Sequence, residues 1–360
     1  LGAILLGIGT QEETDKMLRA ALAGLRAAGD DRGQVSAQLV LAQHEAKSDV
    51  QQGLVRAKTA VADARRIGDR WAEANALMQL MVLYNWAEDE ASHDALVAPT
   101  LTALRDSGNR YILLVTLANH AGPAIEALNL DRAEAYLTEA EVLAPRVGSD
   151  FARALIDRTR AVLAQARGDF DLARERYTSA LEKARGAGMA HAKGNFLADL
   201  AWLELAADRP DAAAVRAREA IEVLTSVGDL RAATEIDGGV LAWYDARRGD
   251  VASARRRLAN QRNAAMDDSS RFWSLVADAR VAAALGDWRR AVELRRETVR
   301  MAVKGEPRGV VMRQRVDLAK ALHERGDRRE VEKLIAELLP ESERLGLHGI
   351  ARDLRTLRAD

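Results

Sequence analysis

The stretch Arg167-Gly168-Asp169-Phe170-Asp171-Leu172-Ala173 decides the fold. Asp150-Phe-Ala-Arg-Ala-Leu155 opens a helical pattern that runs to about Arg167, and a second pattern runs from Leu172 through Leu181 to Gly186 or Gly188. Glycine stops a helix because it takes the left-handed backbone conformation without a Cβ penalty. Aspartate starts the next one by accepting from its unpaired N–H groups. Gly168-Asp169 is thus a stop and a start side by side, and predicts a tight turn between two helices. The same grammar stands at Ala207-Asp208, Gly249-Asp250, Gly286-Asp287 and Gly326-Asp327.

A second series interleaves with the first. Gly29, Gly68, Gly108, Gly148, Gly188, Gly228 and Asp268 recur about every forty residues. Counting back along the first series reaches Leu128, Glu88 and Ser48, where a turn fits without glycine. The step shortens once, to 37, between Gly249 and Gly286. A period of this length marks a two-helix unit copied end to end. The expectation is an all-α solenoid of about eight helix pairs, with an incomplete helix at each end, forming one unit over residues 1–360.

Small residues recur at fixed places in the unit. Seven before the turn stand Ala121, Ala161, Ala201, Ala242, Ala279 and Ala319; five after it stand Ala133, Ala173, Ala213, Ala254 and Ala291. Ala60, Ala140, Ala180 and Ala220 make a third column on the second helix. Alanine at facing positions lets antiparallel helices approach closely, and Leu and Ile at i+3 and i+4 fill the remaining core.

These columns, the Gly-Asp turn and the aromatic after it (Phe170, Trp288) resemble the tetratricopeptide family. Its period is 34, so each helix here is about one turn longer, and Leu77, Leu117, Leu197 and Leu275 replace the family's early Trp. A forty-residue version looks like the repeats C-terminal to the nucleotide-binding module of bacterial regulators of the maltose-activator (STAND) type. The resemblance implies a right-handed α-solenoid whose first helices line a concave face. It also implies a role in bacterial signalling or transcription regulation.

Composition agrees with helix. The chain has 360 residues, 48% hydrophobic and 4% aromatic, with only six prolines. It has no cysteine, which excludes disulfides and Cys-bound metal, and suits a cytoplasmic protein. Leu1 through Gly9 is apolar but shorter than the ~20 residues of a membrane helix. It reads as the tail of a truncated helix, so the chain is expected to be a fragment that lacks an N-terminal effector domain. Residues 245–330 carry 21 Lys+Arg against 13 Asp+Glu, while residues 1–244 carry 27 against 35.

No catalytic pattern survives inspection. There is no phosphate-binding loop, and none of His44, His93, His120, His191, His323 and His348 pairs with another at the zinc-protease spacing. The chain is therefore expected to be no enzyme, with no cofactor and no metal. Two departures from the repeat stand out: Pro123, inside a predicted helix, which should remove a hydrogen bond and kink it, and Gly238-Gly239, in the middle of another.

If the concave geometry carries over, the inner positions lie thirteen, ten, six, three and two residues before each turn. Asn75, Asn85 and Trp86 fall there in one repeat, Arg158 and Gln165 in a later one. Asn195 and Trp202, Trp243 and Arg247, and Trp273 and Arg280 complete the set. Trp and Arg anchor partners and Asn satisfies main-chain amides. The expected partner is a protein or peptide segment, or a small effector, in this groove. Two other readings stay open. One is a nucleic-acid scaffold using residues 245–330, whose clusters Arg255-Arg256-Arg257, Arg289-Arg290 and Arg295-Arg296 fall mostly on the outer surface and lack the interleaved aromatics such sites use. The other is self-association through an exposed end repeat.

Overall fold

A computed structural model describes residues 11–186, 188–264 and 267–359; the apolar opening, residues 1–9, lies outside them. Eighteen helices and no strand occur among the described residues. The chain forms two compact units, Leu1–Leu117 and Ala118–Asp360. The first holds α1 (Gln11–Ala27), α2 (Asp31–Ala46), α3 (Val50–Arg66), α4 (Arg70–Trp86) and α5 (Glu90–Ser107). The division falls within α6 (Arg110–Glu126). The second holds α7 (Leu130–Val147), α8 (Asp150–Arg167), α9 (Phe170–Gly186), α10 (Ala190–Ala206) and α11 (Pro210–Ser226). Residues 230–247 form α12, and then come α13 (Val251–Ala264), α14 (Asp268–Ala284), α15 (Trp288–Gly305), α16 (Arg308–Arg325), α17 (Arg328–Arg344) and α18 (His348–Ala359). Pairing each even-numbered helix with the next gives eight hairpins, from α2–α3 to α16–α17, flanked by α1 and α18.

The turns are built as the sequence grammar requires. Gly168 takes φ 86°, and its N–H and that of Asp169 bond back to Gln165 and Ala164 carbonyls at 3.0 and 2.9 Å. This double bond pattern closes the helix end. Asp169 then accepts from the Leu172 N–H at 3.0 Å. The glycine-free turns adopt the same form: Glu88, Leu128 and Asp208 all have positive φ. Two expectations shift. At Ser48 the chain turns without a left-handed residue. Asp268 is the first residue of α14 rather than the turn, and Asp267 caps it through Ser270 at 2.7 Å. Gly346, at φ 69°, supplies a further turn that the two series did not include.

All three alanine columns are sealed. Each of the fifteen alanines has 0% exposure, so each is closed over by the packed helices around it. Leu77, Leu117 and Leu197 fill the core beside them at 1% exposure or less, whereas Leu275 is half-buried. α6 continues through Pro123, which lies in its last turn.

The second unit winds back onto its own start. A Cβ on Gly168 would lie 2.3 Å from Gly349 Cα, and one on Gly309 would lie 2.8 Å from the Glu126 carbonyl. Met312 and Leu347 join one apolar cluster with Ala121, Leu137 and Leu163. The turns after α6 and α8 therefore rest on the N-terminal ends of α16 and α18. Three glycines make that approach possible.

Glu88 pays a left-handed conformation that glycine would relieve, and its side chain is exposed. Glu88→Gly is expected to raise stability by about 1 kcal/mol, read as a higher denaturant midpoint with unchanged slope.

Candidate functional site

The expected groove residues that fall in the second unit stand on α8, α10, α12 and α14. Asn195, Asp199 and Trp202 are spaced by four and three residues, which puts them on one face of α10. Arg158 of α8 reaches Asp199, with Nε 2.6 Å from Oδ2. The Asp199 charge holds the Arg158 guanidinium above its ordinary pKa. Tyr177 packs behind, donating to Gln165 Oε1 at 3.5 Å, and burial pushes its phenol well above its ordinary pKa. Asn195 lies 3.4 Å from His191 Nδ1.

Trp202 lies flush on α12. A Cβ on Gly239 would sit 2.2 Å from the Trp202 ring, and one on Gly238 would sit 2.2 Å from Gln261 Oε1. Both glycines fall in a π-helical turn, Asp237–Leu241, set inside α12. Such bulges are inserted turns that reshape a helix locally, frequently at functional sites. Here the reason is steric: only a residue without Cβ admits an indole on one side and an amide on the other. Arg280 of α14 then stacks over the Trp202 ring, 5.1 Å from its centroid, and reaches the Gly239 carbonyl at 3.5 Å. α10 and α14 flank α12, and Trp202 and Arg280 meet across it over Gly239.

The other expected residues divide. Trp273 is 39% exposed and meets Phe272 edge-on at 5.0 Å. Asn85 and Trp86 are exposed at the end of α4 in the first unit, and Asn75 is half-buried on the same helix. Trp243 is a correction: at 7% exposure it packs in the core with Ala201 and Ile236 and is out of a partner's reach. Arg247 covers its ring at 5.4 Å and pairs with Asp208 at 2.8 Å. Arg295 is a second correction. It was expected on the outer surface, yet it is buried, bonded to Gln314 Oε1 at 3.0 Å and to Asp317 at 3.1 Å. Its side chain extends toward α16 rather than into solvent.

Two clefts lie in the second unit. One of about 450 Å³ is lined by Ala283, Arg295, Asp317, Lys320 and Asp353 of α14–α18. The other, about 840 Å³, lies where α18 meets α8, between Arg160, Arg167, His348 and Arg352. Asp199, Gly239 and Asp317 were not singled out as site residues by the offset rule. Asp199 could have been, because it stands one turn from both Asn195 and Trp202. No cluster of three or more His, Cys, Asp or Glu among the described residues could hold a metal ion. No helix among them is long and apolar enough to cross a membrane.

The chain matches no protein-family model, and no curated protein matches it in sequence. Among solved structures it is similar to BtubC (BKLC) from P. vanneervenii, at 15% identity over 71% of this chain and 92% of that one, with a TM-score of 0.45. It is also similar to a signal transduction ATPase with numerous domains (STAND) with a tetratricopeptide repeat sensor, from Pyrococcus horikoshii, at 14% identity and a TM-score of 0.45. That match covers 89% of this chain but only 55% of the other. A circular tandem repeat protein matches 97% of this chain and 90% of its own length, at 15% identity and a TM-score of 0.29. Likenesses this distant transfer no ligand, partner or activity. The chain is a helical-hairpin repeat solenoid.

Gly239→Ala would drive a methyl group into the Trp202 ring. The substitution is expected to cost about 1–3 kcal/mol and to change Trp202 fluorescence, while Gly228→Ala, which meets open space but has φ 81°, leaves that emission unchanged.

Proposed function

We propose that the chain is a non-enzymatic binding scaffold whose inner face takes a peptide or protein segment, or a small effector. The observation that supports this best is the patch on α10, α12 and α14. It offers an amide (Asn195), an indole (Trp202) and a guanidinium (Arg280) from neighbouring repeats, with a further exposed indole at Trp273. Large aromatic and arginine side chains supply most binding energy at protein interfaces. An extended segment lying across successive first helices would meet these groups in turn. Binding there would shift the seam where the second unit meets its own start. In a regulator of the bacterial signalling type, that shift would control an attached effector domain.

The basic stretch favours this reading over a nucleic-acid scaffold. Arg257 is held by Asp237 and Asp245, Arg290 by Glu293 and Arg296 by Glu330. Charges already neutralised by carboxylates release few counterions from a phosphate backbone.

A random peptide library selected against the whole chain tests the proposal. Selected peptides are expected to lose about tenfold or more in affinity when Trp273→Ala or Asn195→Ala is introduced, by titration calorimetry. The exposed Val303→Ser on α15 is expected to leave them unchanged. Peptides that respond to Val303→Ser and ignore both inner-face variants would contradict it.

A further inference from the structure

Arginines in this chain follow a rule with one exception. Among the described residues, thirteen arginines are buried or half-buried. Twelve of them pair with carboxylates, as in Arg56–Glu45, Arg160–Glu141, Arg174–Glu204, Arg257–Asp245 and Arg315–Glu337. Arg280 does not. Its contacts are the Trp202 ring and one long bond to the Gly239 carbonyl. The acid that acts on it, Asp317, is already bonded to Arg295 at 3.1 Å. Arg295 adds its own positive charge nearby.

The contrast with Arg158 is direct. Both arginines stand on first helices of the same inner face. Arg158 is given an internal counterion, Asp199. Arg280 is surrounded by protein without one, and that burial pushes its pKa down to about 10. Solvent still reaches it, because the residue is only half-buried. A guanidinium carries five N–H donors in a planar fork, and stacking on an indole uses its face while leaving that edge free.

We propose that Arg280, stacked on Trp202 over the Gly239 backbone, is the docking point for an oxyanion, a carboxylate or phosphate group carried by a ligand on the inner face of the second unit. The proposal rests on the inner-face reading above and names the chemistry that reading leaves open. A planar carboxylate or a phosphate matches the free edge of the fork with two parallel, charge-assisted hydrogen bonds. It also supplies the counterion that Arg280 lacks. Arg295, whose positive charge acts on Arg280, strengthens the local potential.

Titration calorimetry on the whole chain with pyrophosphate, and separately with succinate, tests this. At least one is expected to bind saturably with one site, and the tighter of the two identifies phosphate or carboxylate as the source. Arg280→Gln is expected to weaken that binding about tenfold or more. Arg280→Lys keeps the charge but loses the fork, and falls between. The exposed Arg300→Gln on α15, which removes the same charge elsewhere, is expected to bind as the unaltered chain does. Circular dichroism melting confirms that each variant is folded, and if Arg280→Gln fails to fold, Arg280→Lys carries the comparison. Absence of binding by both anions into tens of millimolar, or equal binding by the unaltered chain and a folded Arg280 variant, would overturn the proposal. Library peptides that bind through Trp273 regardless of Arg280 would leave the inner face standing and this site fallen. Anion binding at Arg280 with no peptide selected would do the reverse.

Discussion

Closest approach between helix backbones is the constraint on which the rest depends. The three alanine columns carry no exposed surface, so a larger side chain at any of them must displace a neighbouring helix. Close contact at these points fixes where each helix crosses the next. The turn must then follow within a few residues, which is why a left-handed residue and an N-cap recur in the same order. Leu128 and Glu88 accept strained backbone at such turns rather than shift the register. Registers repeated this faithfully place first helices side by side on one face.

That face differs from a simple copy in its charge pairing and its glycines. Nine of the thirteen buried or half-buried arginines among the described residues pair with a carboxylate on a neighbouring helix, as Arg158 does with Asp199 and Arg174 with Glu204. Gly239 breaks the alanine-and-leucine pattern to let Trp202 lie on α12, and Arg280 extends across from α14 to cover it. Gly168, Gly309 and Gly349 do something different: they let backbone meet backbone where the second unit returns to its start.

Much of the fold was legible in the sequence because it is local. Turn and cap residues are adjacent, and alanine columns follow by counting from them. Even the glycine-free turns at Leu128 and Glu88 could be located by period alone, while at Ser48 the same count meets no left-handed residue. Where counting failed, geometry had shifted by a residue or more, as at Asp268, where the cap moved to Asp267. The site was legible only as a set of positions. Offsets placed Arg158, Trp202 and Arg280 together but gave Trp243 the same status, although it packs into the core. Which residue meets which depends on the rotation between repeats, and that is not a local quantity. Arg295 illustrates the same limit, since its position suggested solvent while Gln314 and Asp317 hold it inside. The seam left no signal at all: Gly168 and Gly349 are far apart in sequence, and the turn already accounted for Gly168.

The second unit closes onto its own beginning, with Gly349 against Gly168 and Gly309 against the Glu126 carbonyl. The chain has no cysteine, so two introduced ones carry spin labels uniquely. Leu172→Cys and Arg352→Cys place them on opposite sides of the seam cleft. Electron paramagnetic resonance of the doubly labelled chain measures their separation directly. A closed seam predicts one short, narrow distance that persists until the unit unfolds. A broad or long distribution under native conditions would mean that the unit stands open, and would contradict the closure.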